Sequence, residues 1–220
     1  MYFTKQPLTM ALTFALCIAT NSSCGKTEVY ALQGSITDQD TDAIVNAANP
    51  QLQGGDGVCG AIFKAAGWNQ LQAACNKYPA IKGVRCPVGE ARITDSFQLS
   101  DMGIKNIIHA VGPDARIVKD PNVQRALLES AYTSSLQLAT DNALTSISFP
   151  FISSGIYAVD HQLAAEAAVT AVRNFIQENE TTLTEIRFVL LHKKEYQLFQ
   201  SLLNDKKSRQ STTGASSLLK

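Results

Sequence analysis

Charge of one sign is missing: lysine plus arginine and aspartate plus glutamate each number 19 among the 220 residues. Without an excess of either sign the chain has no field to draw a polyanion, which sets nucleic acid aside as a partner. Cysteine is scarce too. The five residues Cys17, Cys24, Cys59, Cys75 and Cys86 form no C-x-x-C pair and no zinc spacing, so neither a disulfide framework nor a zinc site is expected. His109, His161 and His192 show no metal-ligand spacing, and no G-x-S-x-G elbow occurs, so metal and serine-hydrolase chemistry are both unsupported and no metal or cofactor is expected. Apolar runs are short. The run over 8–19 spans 12 residues, below the roughly 17–25 of a spanning helix and inside the roughly 7–15 of a signal-peptide core. With Lys5 before it and Thr20-Asn21-Ser22-Ser23-Cys24 after it, 1–24 reads as an export leader, for a periplasmic, secreted or lipid-anchored protein. Lipidation at Cys24 is hinted at, although Asn21 stands where such sites carry leucine. The alternative is a cytoplasmic protein with a short buried leader.

Glycine is concentrated where it matters. An apolar run, Ala43-Ile44-Val45, leads through Asn46-Ala47-Ala48-Asn49-Pro50 to Gly54-Gly55-Asp56-Gly57-Val58-Cys59-Gly60 and then to the helix-like Ala61-Ile62-Phe63-Lys64-Ala65-Ala66. Strand, glycine loop and helix start together gather unpaired backbone N–H groups at the positive end of a helix dipole, which suits a phosphate. Gly55, Gly57 and Gly60 also satisfy the dinucleotide fingerprint G-x-G-x-x-G. That fingerprint needs its first glycine directly after a strand and an acid about 20 residues on; 78–83 holds none, so a nicotinamide enzyme is a distant reading. A second loop, Ser153-Ser154-Gly155-Ile156-Tyr157, follows the strand-like Ser146-Ile147-Ser148-Phe149-Pro150-Phe151-Ile152. Two such loops at the carboxyl ends of strands form a clamp for a diphosphate.

Elements alternate along the chain as in α/β layer folds. Strands are expected at 29–32, 43–47, 90–94, 106–111, 146–152 and 185–191. Asp120-Pro121 reads as cap and first residue of a helix with Val123, Leu127, Ala131 and Leu138 on its buried face. Asp160 caps another, carrying Leu163, Ala164, Ala167, Ala168, Ala171, Val172 and Phe175 at helical spacing. A last helix holds Tyr196, Phe199 and Leu203. From Asp205 the composition turns polar, and 205–220 reads as a disordered tail.

The serial motifs Gly34-Ser35-Ile36-Thr37, Asp42-Ala43-Ile44-Val45-Asn46-Ala47-Ala48-Asn49, Gly54-Gly55-Asp56-Gly57-Val58, Ala65-Ala66-Gly67, Cys86-Pro87-Val88-Gly89-Glu90-Ala91, Ile108-His109-Ala110-Val111-Gly112-Pro113 and Ser153-Ser154-Gly155-Ile156-Tyr157 resemble the macro domain family. The likeness extends over 27–204, nearly the whole folded part. It implies a three-layer α/β/α domain with a central mixed, mostly parallel sheet, binding ADP-ribose or a mono-ADP-ribosylated protein. Many members release ADP-ribose from proteins or deacetylate O-acetyl-ADP-ribose. The Gly-Asp-Gly-Val-Cys loop is similar to that of alphavirus macro domains, while the remainder resembles the cellular ADP-ribosyl hydrolase branch. A monomer is expected, meeting a membrane only through a lipid anchor.

The resemblance assigns roles. Asn49, with a carboxamide that both donates and accepts, orients the distal ribose and serves hydrolysis; the plain alternative is a turn asparagine bonding its own backbone before Pro50. Gly57, Val58 and Cys59 give N–H groups to the diphosphate, and Ser153, Ser154, Gly155, Ile156 and Tyr157 cover it from the other side. Tyr157 shields the distal ribose or, alternatively, fills the rim of the core. Ser35 and Ile36 occupy the motif at the base, where Ser35 replaces the family's adenine-reading aspartate with a weaker acceptor. Cys59 replaces the aspartate often assigned to water activation; alphavirus-like relatives share that change and remain hydrolases, so water held by a substrate phosphate suffices there. Asp56 is expected to face solvent, because a carboxylate repels a diphosphate. Asn46 holds neighbouring loops together, and His109 is a satisfied core histidine rather than a base. Two readings stand: an ADP-ribosyl hydrolase, favoured by Asn49 and Tyr157, and a non-catalytic ADP-ribose-binding module, favoured by the missing acid.

Overall fold

Six short apolar stretches separated by helical periodicity leave each strand's side chains to be covered on two faces, and the chain solves this with helices on both. A computed structural model describes residues 26–215, with side chains to residue 205; the leader expected at 1–24 lies outside the described residues. The strands are β1 (Glu28–Gln33), β2 (Ala43–Ala47), β3 (Ala91–Asp95), β4 (Asn106–Ala110), β5 (Ser146–Phe149) and β6 (Glu185–Leu190). They form one sheet in the order β1-β6-β5-β2-β4-β3. Every neighbouring pair is parallel except β3 with β4. The register sets Val29 beside Ile186 and Val45 beside Ile108.

Alternation along the strands feeds two cores. Ile44 and Ile107 point to one face, where they pack with Ile62, Phe63 and Leu71 of helices α1 (Gly57–Ala66) and α2 (Trp68–Asn76). Val45 and Ile108 point to the other, against Leu128 and Tyr132 of α3 (Pro121–Asp141), Ala164 and Val172 of α4 (His161–Glu178) and Phe199 of α5 (Lys193–Ala215). On that face Tyr132 stacks on Phe149 at 5.0 Å and Phe188 on Phe199 at 4.8 Å between ring centres. Truncating any of these buried rings to alanine would cost about 3–5 kcal/mol.

Both caps read from the sequence are present: the Asp120 carboxylate accepts from Asn122 N, and that of Asp160 from Leu163 N. Four expectations shift. Strand β5 stops at Phe149, three residues early, because Pro150 has no N–H for the ladder. Helix α3 is turned from the expected face: Leu128, Tyr132, Leu136 and Ala139 are buried while Val123 is 44% exposed, since Tyr132 and Gln124 also take inward positions. Helix α2 has no counterpart in the sequence reading; its amphipathic signal is confined to Leu71 and Cys75. Helix α5 continues through 205–215, where a disordered tail is expected; no proline and no glycine before Gly214 interrupts it.

Candidate functional site

The parallel strands β1, β6, β5, β2 and β4 end on one edge of the sheet, and the loops leaving them surround a cleft of about 970 Å³, at the upper end of the roughly 300–1,000 Å³ of small-molecule sites. Ser35, Ile36, Asn49, Gly57, Val58, Cys59, Ser153, Ser154, Gly155, Ile156 and Tyr157, all expected from the sequence, line it. Gly34, Gly112, Phe151, His161, Leu191, His192 and Glu195 line it as well and were missed. For Gly34, Gly112, Phe151 and Leu191 a signal was available: they too sit where strands give way to loops, the edge on which open α/β sheets bind ligands.

On one wall the glycine loop ends in helix α1, which begins at Gly57, four residues before the apolar stretch that marks it in the sequence. Gly57, Val58 and Cys59 therefore form the first turn, whose N–H groups have no helical partner. The Asp56 side chain precedes them without capping them; it is exposed and also stands among the residues that line the cleft. The amides stay free for an anion at the positive end of the helix. Nine residues separate the end of β2 from α1, so the glycines lack the strand-adjacent turn that dinucleotide binding requires.

Side chains brace this loop. The Asn49 carboxamide donates from Nδ2 to Gln53 O at 2.7 Å and accepts from Gln53 N at 3.1 Å. Asn49 thus lines the cleft and acts as a turn asparagine at once, leaving one N–H and one lone pair for a ligand. Gln72 of α2 accepts from Gly54 N and donates to Leu52 O. Beneath lies Asn46, whose Nδ2 donates to His109 Nδ1 at 3.1 Å and faces Cys59 Sγ at 3.6 Å. With Nδ1 accepting, the imidazole proton is on Nε2 and goes to Thr94 Oγ1 at 3.0 Å. His109 is fully buried, and burial lowers its pKa to about 4, so it stays neutral as a core residue. The Cys59 thiol is pushed up by burial; it is a neutral packing group near pH 7 and no base.

The opposite wall, 151–158, is shaped by its backbone. Ser153 and Ala158 hold positive φ of 63° and 52°, and Ala158 N and Val159 N donate to Gly155 O and Ser153 O. Gly112 is essential to its position: a Cβ there would lie 2.2 Å from Ser153 Oγ and 2.6 Å from Ile152 Cγ2. Ser153 Oγ is buried without a hydrogen-bond partner among the described residues, a state that a ligand oxygen or water resolves. A Cβ on Gly155 would meet nothing within 4 Å, so this backbone faces open cleft. Ile156 is 75% exposed at the rim. Tyr157 is half-buried; burial and then the Asp114 charge raise its pKa, and the Arg116 guanidinium lies 6.0 Å from its ring centre. Ser35, at the far end, spends its hydroxyl on a 3-10 turn (Ile36–Asp38), accepting from Thr37 N at 3.3 Å and sharing a proton with Thr37 Oγ1 at 2.7 Å.

Among the described residues no group of three or more His, Cys, Asp or Glu is placed to hold a metal ion, and no helix is long and apolar enough to cross a membrane.

Residues 45–168 match the Macro domain family. A macro domain-containing protein of Listeria monocytogenes is 45% identical over 80% of this chain and 97% of its own length. The O-acetyl-ADP-ribose deacetylase of Escherichia coli is 41% identical over 81% of this chain and 96% of its own. Among solved structures, a variant Oceanobacillus iheyensis macrodomain with ADPR superposes with a TM-score of 0.75 at 36% identity, covering 84% of this chain and 96% of that one.

Proposed function

The chain belongs to the macro domain family, and we propose that it binds ADP-ribose along the cleft and acts as a hydrolase on mono-ADP-ribosylated protein or O-acetyl-ADP-ribose. The observation that carries this reading is the pairing of two receiving walls at one cleft: the uncapped amides of Gly57, Val58 and Cys59 face the loop with the unpartnered Ser153 hydroxyl. A diphosphate between them meets donors from both sides. Its two sugars then fall toward opposite ends, and the distal ribose comes to Asn49, whose remaining N–H and lone pair engage the hydroxyls.

At that end the Cys59 thiol is neutral, and the Asp56 carboxylate, though it lines the cleft, is exposed to solvent and caps nothing. The step therefore rests on placement: a water held against the diphosphate adds at C1″ of the distal ribose, and the C1″–O bond to the protein carboxylate breaks. ADP-ribose and a carboxylic acid leave, sharing the oxygen and hydrogens of that water. Holding reactants in near-attack geometry is worth several kcal/mol without an acid–base pair. On O-acetyl-ADP-ribose a water adds instead to the acetyl carbon, the bond from that carbon to the ribose oxygen breaks, and the ribose oxygen leaves with one proton of the water, giving ADP-ribose, acetate and a proton. The missing acid at Cys59 is the one feature that favours a binding module without turnover.

The test incubates the protein with a mono-ADP-ribosylated protein and, separately, with O-acetyl-ADP-ribose, following release while calorimetry measures ADP-ribose and NAD. Release from one substrate, with ADP-ribose bound far more tightly than NAD, is the expected result. Tight binding without release from either leaves the binding module; equal affinity for the two ligands overturns the assignment of the cleft.

A further inference from the structure

Topology fixes which end of the cleft is which. The strand order places Asn49 and Cys59 above β2, the loop of Gly155 above β5, and Ser35, Ile36, Val189, Leu191 and Glu195 above β1 and β6. With the diphosphate over the middle and the hydrolysable ribose at Asn49, the β1–β6 end takes the nucleoside half. Ile36 and Val189, buried, and Leu191, exposed, give its lining an apolar part, which suits a flat heteroaromatic ring. The Ser35 hydroxyl there already serves the turn it caps.

Glu195, in the first turn of α5, is the carboxylate at this end, where the His192 imidazole also lines the cleft. It lines the cleft, is half-buried, and has no hydrogen bond or ion pair among the described residues. A carboxylate facing a cleft that receives a diphosphate opposes binding through like charge unless the ligand offers it a donor. The hydroxyls of the diphosphate-linked sugar do not distinguish one base from another; an exocyclic amine does. We propose that Glu195 is the specificity-determining residue for the base, accepting from the exocyclic amine of adenine in place of Ser35. The assignment rests on the reading of the cleft as an ADP-ribose site.

Calorimetry on the whole chain compares ADP-ribose with the analogue in which unsubstituted purine replaces adenine, so that the amine is absent. Wild type should prefer ADP-ribose by about tenfold, the effect of one hydrogen bond to a charged group. In Glu195→Ala the preference should fall to about one. Glu195→Gln keeps a neutral acceptor and should fall between. Because relief of charge repulsion on the diphosphate affects both ligands alike, it cancels in the ratio. A preference that survives in Glu195→Ala, or is absent in wild type, overturns the role of Glu195 while leaving the ADP-ribose site standing. Failure of wild type to bind ADP-ribose at all overturns both.

Discussion

The loop joining β2 to α1 is tied into the core by a chain of side-chain hydrogen bonds, whereas the loop after β5 is shaped chiefly by its own backbone, with Ser154 and His161 adding local contacts. In the first, Asn49, Gln72 and Asn46 each bridge to a neighbour, and the chain of contacts reaches His109 and Thr94 on β4 and β3. In the second, positive-φ residues and the backbone hydrogen bonds of Ala115, Ala158 and Val159 N set the shape, Ser154 Oγ donates to Phe151 O, His161 Nε2 lies 3.1 Å from Ser154 O, and Ile156 stands almost free at the rim. The difference separates two tasks. A wall braced into the core keeps a ribose in one place, which a positional mechanism needs. A wall set chiefly by backbone and by contacts within the loop offers contact and cover, and its sensitivity lies in whatever a new side chain would displace.

The contrast is broken most severely at Gly155. Gly155→Glu directs a charged side chain into the open cleft where the diphosphate belongs, and binding of ADP-ribose measured by calorimetry should be abolished. Thermal stability should stay near wild type, because no neighbour lies within reach of the new Cβ. A large loss of stability instead would mean that this loop, too, is braced by packing.

Asn49→Ala removes both bonds to Gln53 and the ribose contact together. A displacement of about 1 Å at the reacting centre costs on the order of 100-fold in rate. Single-turnover release from a mono-ADP-ribosylated protein should fall by about that factor, with ADP-ribose affinity falling much less. Equal losses in rate and affinity would place Asn49 in binding alone.

The core bracing has a pH signature. His109 is neutral when folded, its pKa lowered to about 4, and titrates near 6.5 when unfolded. Between these values the unfolded chain binds the extra proton, so stability falls as pH drops from about 6.5 toward 4. The full loss is about 3 kcal/mol, from 1.36 kcal/mol per pKa unit. Urea unfolding at pH 7 and pH 4.5 should show that dependence in wild type and a weaker one in His109→Gln. The same slope in both would remove His109 as the source.

Cys59→Ala should do least. Its thiol contacts Asn46 Nδ2 and Gln53 O only at 3.6 and 3.8 Å, and the backbone N–H that faces the cleft survives the change. Turnover should drop less than about fivefold, and stability by about 1 kcal/mol for the small void. A loss as large as that of Asn49→Ala would make the thiol part of the chemistry.

Much of this was legible beforehand. The inner strands β2, β4 and β5 showed in their apolar runs, because strands buried on both faces have no solvent side to interrupt them. Asp120 and Asp160 showed because caps are local. The face of α3 and the whole of α2 did not, since small and polar residues occupy inward positions there that only the packed partner fills. Glu195 and His192 were invisible for another reason: nothing in a lysine-rich helix start marks one carboxylate as facing a cleft.

By itself the sequence determined the strand–loop–helix order, the two glycine-bearing loops and the residues that line them, because those signals depend on backbone chemistry within a few positions. Only the tertiary structure decided that the hydroxyls and amides at hand were already partly spent, Ser35 on its turn and Asn49 on Gln53, and that Ser153 and Glu195 were not. Whether a polar group is free depends on what the fold brings within about 3 Å of it, and that distance is set by packing between elements far apart in the chain.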